Sequence, residues 1–173
     1  MTKASHDDPA GAPVSPSKGS VGGRILRLWE RLEPLPLGTR LFSFLLGRIV
    51  PYTGTIRPHV VELEAGRVRA EMKDRRRVRN HLDSVHAIAM ANLGELVTGL
   101  ATITGLPEGT RGIAVNFEIG YRKKARGRLV AECESRAPGE ITESVDHVAE
   151  GVIRDRAGEV VAVVEATWRL GSV

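Results

Sequence analysis

The sequence predicts an α+β domain in which an antiparallel sheet wraps around one long central helix, with extra helices at the N-terminus. The stretch 80–104 is almost wholly apolar over a length that fits a helix. Segments in which apolar and polar residues alternate lie on both sides of it, as half-buried strands require. No regular alternation of strands and helices follows, which favours antiparallel over parallel pairing.

The N-terminal part divides into a tail and two short helices. Residues 1–23 contain three prolines and four glycines and are predicted to be disordered. Residues 24–50 carry apolar side chains at helical spacing, interrupted by Pro34 and Pro36, and predict two amphipathic helices. Basic helices of this kind could lie on a membrane surface. A cover over a sheet edge or a substrate tunnel is the preferred interpretation, so membrane contact is not expected.

Residues 51–173 form the main domain in this scheme. Strands are predicted over 55–63, 67–74, 112–121, 128–136, 144–154 and 160–170. The last strand is apolar at both alternating positions over half its length, so we expect it to be interior. Burying both faces of such a sheet requires a second layer, and a homodimer, with a dimer of dimers as an extension, would supply it.

Composition narrows the class of protein. A net charge of +4 with 42% hydrophobic residues is ordinary for a globular chain. No secretory signal is visible, and the densest apolar run, 41–50, is far shorter than the roughly 20 residues of a membrane-spanning helix. We therefore expect a cytoplasmic protein. The single cysteine, Cys133, permits neither an internal disulfide nor a cysteine-based metal site, and we interpret it as an inert thiol on a strand.

Glu95 stands in the middle of the apolar helix. Burying a carboxylate among small apolar side chains costs several kcal/mol unless it is paired or protonated. We therefore expect Glu95 to have either a structural partner, such as an arginine, or a chemical use, and the second interpretation is preferred.

The order of two strands, a long apolar helix and four strands resembles the hotdog fold. Asn80, a histidine six residues later (His86) and a carboxylate nine residues beyond it (Glu95) resemble the PaaI-like acyl-CoA thioesterase branch of that superfamily. The surrounding sequence NHLDSVHAIAMANLGEL also resembles the DUF4442 type of domain. The resemblance covers roughly residues 55–171.

The chain departs from the pattern of this branch at two places. Members often have Gly-Gly after the histidine, where this chain has Ala87 and Ile88. Many also carry a serine or threonine on the strand after the helix, near Ala114. Alanine supplies no side-chain hydrogen bond there, which favours a non-catalytic acyl-CoA-binding or sensing protein as the alternative to a thioesterase.

The resemblance implies a role for each residue of the motif. Glu95 would activate water or attack the thioester, and the backbone N–H of Ala87 would stabilise the oxyanion. Asn80 would orient the water or the carbonyl, and His86 would position the thioester. Each has a structural alternative, since His86 could cap the helix and Asn80 could organise a turn.

The spacing of His86 and Glu95 carries a further expectation. Nine residues are about 900° of helical rotation and roughly 13.5 Å along the axis, which places the two side chains on opposite sides of a helix. One chain could hardly direct both at one carbonyl, whereas a two-fold dimer could combine His86 of one subunit with Glu95 of the other.

The remaining expectations concern the substrate. An acyl chain would lie along Ile88, Leu96, Leu100 and the 41–50 segment. The phosphates of CoA, which is expected as part of the substrate and not as a cofactor, would meet Arg122, Lys123, Lys124 and Arg126. A solvated turn is the alternative for this basic cluster. A second basic cluster at 75–79 also lacks interleaved aromatic residues, so nucleic acid is not expected, and no spacing of metal ligands is present.

Overall fold

The computed structural model describes residues 19–139 and 141–172. Six strands form one antiparallel sheet, and a single long helix packs on it. The helices are α1 (Val21–Leu32), α2 (Gly38–Ile49), α3 (Pro51–Ile56) and α4 (Ala87–Gly105), with a 3-10 turn at Arg76–Val78. The strands are β1 (His59–Glu64), β2 (Arg67–Met72), β3 (Thr110–Tyr121), β4 (Leu129–Glu134), β5 (Val145–Arg154) and β6 (Val160–Ser172).

The neighbours in the sheet follow the order β1–β2–β4–β5–β6–β3. The structure thus has two strands, a long helix and four strands in the predicted order, and the hotdog architecture is confirmed. Strand β6 lies between β5 and β3, so its predicted interior position is also confirmed. Cys133 is buried on β4, where desolvation raises the pKa of its thiol to about 12 and disfavours the reactive thiolate.

The N-terminal helices differ from the prediction in number and in bounds. Helix α1 begins at Val21, inside the segment predicted to be disordered, because the side chain of Ser20 caps it by accepting from the N–H of Gly23 at 2.9 Å. The rest of that prediction, 1–18, lies outside the described residues. Helix α3 was not predicted. Pro51 ends α2, but proline is also favoured in the first turn of a helix, and α3 begins there.

Helix α4 begins seven residues later than predicted, at Ala87 instead of Asn80. Apolar composition marked the buried helix correctly, but residues 80–86 form a loop that is held by its own polar contacts. The C-terminal end, at Gly105, agrees with the prediction. The helix that carries Glu95 is therefore entered through a structured loop, which matters for the candidate site.

Glycines let α4 approach both of its neighbours closely. A Cβ on Gly94 would lie 2.4 Å from Cγ2 of Val164 on β6. On the other side of the helix, a Cβ on Gly22 of α1 would lie 2.1 Å from the carbonyl oxygen of Ile103. Helix α4 is long and apolar enough to cross a bilayer, but it is mostly buried between the sheet and α1, as the core helix of a folded domain.

We expect Gly94→Ala to lower the free energy of unfolding by about 1–3 kcal/mol, since the added methyl group must displace a stiff β-branched neighbour. The better helix propensity of alanine, about 1 kcal/mol, offsets part of this loss. Chemical denaturation would measure the net change in the free energy of unfolding. Gly171→Ala, where nothing lies within 4 Å, is the control. Adding Val164→Ala should recover part of the lost stability, and an unchanged midpoint in Gly94→Ala would contradict this packing.

Strand β3 is a long edge of the sheet. It pairs with β6 on one side, and its other side has no partner strand among the described residues. Several large apolar side chains on it are exposed, namely Ile113 (61%), Val115 (45%) and Tyr121 (43%). An exposed apolar edge of this kind is a template for pairing with another chain.

Candidate active site at the start of helix α4

The loop before α4 is built around the amide of Asn80. Its Oδ1 accepts hydrogen bonds from the N–H of Leu82 at 2.9 Å, the N–H of Ser84 at 3.3 Å and the hydroxyl of Ser84 at 3.1 Å. Arg126 closes the loop from outside by donating to the carbonyl oxygen of Asp83 at 3.0 Å. The amide oxygen of Asn80 is thus used within the turn, which is the structural alternative for this residue.

His86 is the N-cap of α4. Its backbone is extended, and its Nδ1 accepts from the N–H of Ile88 at 3.1 Å. An accepting Nδ1 implies the neutral tautomer that carries its proton on Nε2. Because His86 precedes the helix, helical rotation does not set the direction of its side chain, and the angular argument that relates it to Glu95 does not apply. The imidazole is exposed and presents an Nε2 donor beside the start of α4.

Ala87 is the first residue of the helix, where the backbone N–H groups have no intrahelical acceptor. Among the described residues, none accepts from its N–H. Its carbonyl oxygen accepts from the hydroxyl of Tyr121 at 3.0 Å, which ties the end of β3 to the first turn of α4. The N–H lies at the positive end of the helix dipole, as an oxyanion donor requires.

Glu95 is exposed in the single chain, so the expectation of a buried carboxylate is wrong. It lies seven residues after Ile88 and therefore on the same face of α4, and the described part of the chain leaves both side chains uncovered. No described arginine or lysine pairs with it.

The surroundings of Glu95 are nevertheless apolar. A Cβ on Gly99 would lie 3.7 Å from Oε1 of Glu95 and 3.2 Å from the indole ring of Trp168. Partial desolvation raises the pKa of Glu95 above its ordinary value. The carboxylate thus reaches solvent, but protein atoms are close enough to disfavour its charge. A general base for a reaction near neutral pH benefits from this environment.

A cavity of about 200 Å³ opens at the start of α4. It is lined by Tyr52, Thr55, Ile56, Arg77, Val78, Arg79, His86, Ile88, Ala89 and Asn92. Asn92, which is 7% exposed, donates from Nδ2 to the carbonyl oxygen of Tyr52 at 3.0 Å, while its buried Oδ1 has no described partner. The sequence analysis missed Asn92, although a polar residue in an apolar helix is the same signal that singled out Glu95.

A larger cleft of about 620 Å³ lies between α1 and β1, away from α4's first turn. Four glutamates line it, namely Glu30, Glu33, Glu62 and Glu64. This acidic lining disfavours anionic ligands such as CoA. The smaller cavity at the start of α4, with two arginines and the helix N-terminus, is therefore the better candidate site.

The predicted acyl-chain residues are not all on an open surface. Ile88 is 54% exposed and lines the cavity. Leu96 and Leu100 are 6% and 5% exposed and belong to the core, so a channel along them is not present in the single chain. They lie on the inward face of α4, which periodicity alone could not distinguish in an almost wholly apolar helix. The 41–50 segment, in α2, packs on β1 instead of lining the cavity.

Two of the four predicted phosphate-binding residues have structural contacts. Lys123 pairs with Asp155 at 2.7 Å and with Glu159 in the β5–β6 hairpin, and Arg126 holds the loop before α4. Arg122 and Lys124 are exposed and form no ion pair with a described residue. Arg77 and Arg79, from the basic cluster before α4, line the cavity instead, with Arg79 paired to Asp74 at 2.6 Å.

No group of three or more potential metal ligands comes together in the described part of the chain. The polar groups at this end of α4 are thus a capping imidazole, a helix N-terminus and an unpartnered amide oxygen, with the Glu95 carboxylate further along the same helix.

The model of the family termed domain of unknown function DUF4442 matches residues 38–170. The chain belongs to the DUF4442 family. A search among curated proteins gave no match.

Solved structures resemble the DUF4442 chain over most of its length. One, a crystal structure from a genomics project, designated APC5556, is 28% identical with a TM-score of 0.76, over 89% of this chain and 100% of its own. A protein of unknown function from Pseudomonas aeruginosa, called a probable thioesterase, is 23% identical with a TM-score of 0.64 (80% and 97% covered).

A thioesterase family protein from Silicibacter pomeroyi is 21% identical, also with a TM-score of 0.64, over 76% of the DUF4442 chain and 96% of its own. The family match agrees with the DUF4442 resemblance of the sequence, and these neighbours agree with the predicted hotdog fold.

Proposed function

We propose that the protein hydrolyses acyl thioesters, acyl-CoA among them, to a carboxylic acid and a thiol, at a site that two chains share. The observation that carries this proposal is Glu95, an exposed carboxylate on the core helix, with a raised pKa and no described cationic partner. Partial desolvation without a cation beside it disfavours the charged form of this carboxylate, which suits a general base. The names of the Pseudomonas aeruginosa and Silicibacter pomeroyi neighbours, probable thioesterase and thioesterase family protein, support the same chemistry.

The exposed edge of β3 supports the shared site. Pairing of two β3 edges about a two-fold axis would cover Ile113, Val115 and Tyr121 and extend the sheet across both chains. Such a dimer would bring the uncovered Ile88–Glu95 face of one α4 toward the other chain, since α4 packs on β3 as well as on β6. The proposal therefore places Glu95 of one subunit near the α4 start of its partner.

The chemistry follows from the groups at these two places. The carboxylate of Glu95 removes a proton from water as the oxygen attacks the thioester carbonyl carbon. The backbone N–H of Ala87 and the Nε2–H of His86 donate to the oxyanion that forms. When the C–S bond breaks, the protonated Glu95 returns the proton to the departing thiolate. The products are one acid and one thiol, and no cofactor takes part.

The cavity at the start of α4 would hold the ligand. Ile56, Val78 and Ile88 give it an apolar wall, and Arg77 supplies a positive charge for a phosphate of CoA. Arg122 and Lys124, exposed at the end of β3, are the members of the predicted phosphate-binding cluster that remain suited to this task.

One observation favours a second candidate, a non-catalytic acyl-CoA-binding protein. Ala114 is exposed on β3, where a serine or threonine would have offered a hydroxyl beside the site. Such a protein would use the same cavity without turnover.

A panel of acyl-CoAs from short to long chain, with release of free thiol as the readout, tests the proposal. We expect release from at least one thioester, in proportion to protein concentration. Saturable acyl-CoA binding by calorimetry without any thiol release would replace hydrolysis with the binding function.

The pH profile of this activity should show the raised pKa of Glu95. Desolvation favours the neutral acid, so the active carboxylate forms only at a higher pH than for an ordinary glutamate. We expect the logarithm of kcat/KM to rise with pH at unit slope below that pKa and to level off above it. An acid limb at or below the ordinary glutamate range would contradict a role for Glu95 as the base.

A further inference from the structure

A second surface of this protein lies at the opposite end of the sheet from β3. Helix α2 packs on the edge strand β1, where Ser43 accepts from the N–H of Val60 at 2.9 Å, and its Phe42 and Leu46 are buried. This confirms a cover over a sheet edge. It does not account for the other side of the helix, which is also apolar.

The outward face of α2 and its junction with α3 carry large exposed apolar side chains. Leu37 (70% exposed), Leu41 (46%) and Phe44 (62%) recur at helical spacing along one face, and Ile49 (72%) and Tyr52 (66%) are exposed where α2 meets α3. We call these five residues the α2 patch. Several large exposed apolar side chains in one short segment of a folded domain mark a candidate interaction site.

The charged residues of the segment that carries the α2 patch have one sign. No aspartate or glutamate occurs between Pro34 and Val61, whereas Arg40, Arg48 and Arg57 fall within that range. All three arginines are exposed, and none forms an ion pair with a described residue. The patch therefore suits a partner that is negatively charged at its surface and apolar beneath it.

We propose that the α2 patch binds the surface of an anionic phospholipid bilayer, with Leu41 and Phe44 entering the interface and Arg40 and Arg48 at the headgroups. Apolar side chains flanked by basic ones are the pattern of helices that lie in a membrane interface. A second copy of this chain fits less well, because a two-fold contact through the patch would oppose arginine to arginine. Membrane contact was not expected from the sequence, but the exposed apolar side chains on the outward side of α2 now favour it.

The α2 patch also adjoins the candidate site. Tyr52 belongs to the patch, lines the cavity at the start of α4 and accepts from Asn92 through its carbonyl oxygen. Docking through the patch would hold the cavity mouth near the bilayer, where amphiphilic molecules partition. The docking itself does not depend on the proposed hydrolysis and can be tested without any turnover.

Co-sedimentation of the full chain with vesicles tests the proposal. We expect binding to an equimolar mixture of phosphatidylcholine and phosphatidylglycerol, weaker binding to phosphatidylcholine alone, and loss of binding as salt screens the arginines. No binding to the mixed vesicles, or equal binding to both kinds, would overturn it.

Two double variants define the surface. The double variant Arg40→Glu with Arg48→Glu should lower the partition coefficient for the mixed vesicles by at least about thirtyfold. The double variant Leu41→Ser with Phe44→Ser should abolish sedimentation with them. Arg136→Glu with Arg156→Glu changes the net charge equally at exposed positions elsewhere and should bind like the parent chain. Thermal melting without vesicles checks that each variant is folded. If the control loses as much binding, or if the serine variant changes the oligomeric state in vesicle-free solution, the patch is not a lipid site.

Discussion

Glu95→Gln should reduce thioester hydrolysis by about 10²–10⁴-fold, the contribution that a positioned general base makes. Glutamine keeps the shape of the side chain but cannot accept a proton from water. Because Glu95 is exposed and not in the core, binding of acyl-CoA should persist within a few-fold. Steady-state thiol release and calorimetric titration would measure the two effects separately.

The stability of Glu95→Gln gives an independent check. A carboxyl whose pKa is raised in the folded state binds more protons folded than unfolded, so stability falls as pH rises from the ordinary glutamate pKa through the raised one. Glutamine removes that cost, and the variant should be at least as stable as the parent at neutral pH. Glu108→Gln, exposed beyond the far end of α4, is the matched control and should keep full activity. A loss of less than tenfold in Glu95→Gln would exclude the proposed base.

Mixing two variants that are each impaired should restore activity if the site is shared. In a heterodimer of a Glu95→Gln chain with a His86→Ala chain, one site combines the intact His86 of the first with the intact Glu95 of the second. The other site carries both substitutions. Random reassociation in equal amounts makes half of the dimers mixed, so about a quarter of the parent rate should return. Co-refolding or co-expression with two affinity tags would supply the mixed species.

The matched control replaces the second chain with one that carries both substitutions. That mixture contains no Glu95 at all and should remain inactive, whatever dimers form. Each single variant is assayed alone, where His86→Ala should lose the Nε2 donor and the cap of Ile88 and fall by at least about tenfold. If tagged heterodimers form but no rate returns, both residues act within one chain, and the shared site is wrong even though hydrolysis itself could stand.

The order of the six strands and the core helix along the chain could be predicted from the sequence because local patterns determine these elements, whereas α3 was missed. Alternation marked the strands, the apolar stretch marked α4, and the doubly apolar run marked β6 as interior. The prediction from sequence failed where apolar composition suggests one structure and hydrogen bonding produces another. Residues 80–86 look like helix by apolar content, but the hydrogen bonds of Asn80 and the cap of His86 hold them as a loop.

The sequence singled out candidate residues, but the roles of their groups could not be assigned from it. Burying a polar side chain costs free energy, so any polar residue in an apolar helix is a candidate; Glu95 was noticed although it is exposed, and Asn92 was overlooked although it is buried. Whether Glu95 is exposed, which face of α4 holds Leu96 and Leu100, and which basic residues are already paired depend on segments distant in the chain.

Three contacts show why only the tertiary structure could decide these points. Arg126 reaches back to Asp83, Lys123 pairs with the β5–β6 hairpin, and Tyr121 binds the carbonyl of Ala87. Each contact joins residues more than thirty positions apart, and such a pair cannot be predicted from the pattern of neighbouring residues in the sequence. The sequence by itself thus determined the order of the strands and the core helix along the chain, because these follow from the burial of apolar side chains. The tertiary structure decided which groups are left for chemistry, because that depends on which polar atoms the fold has already used.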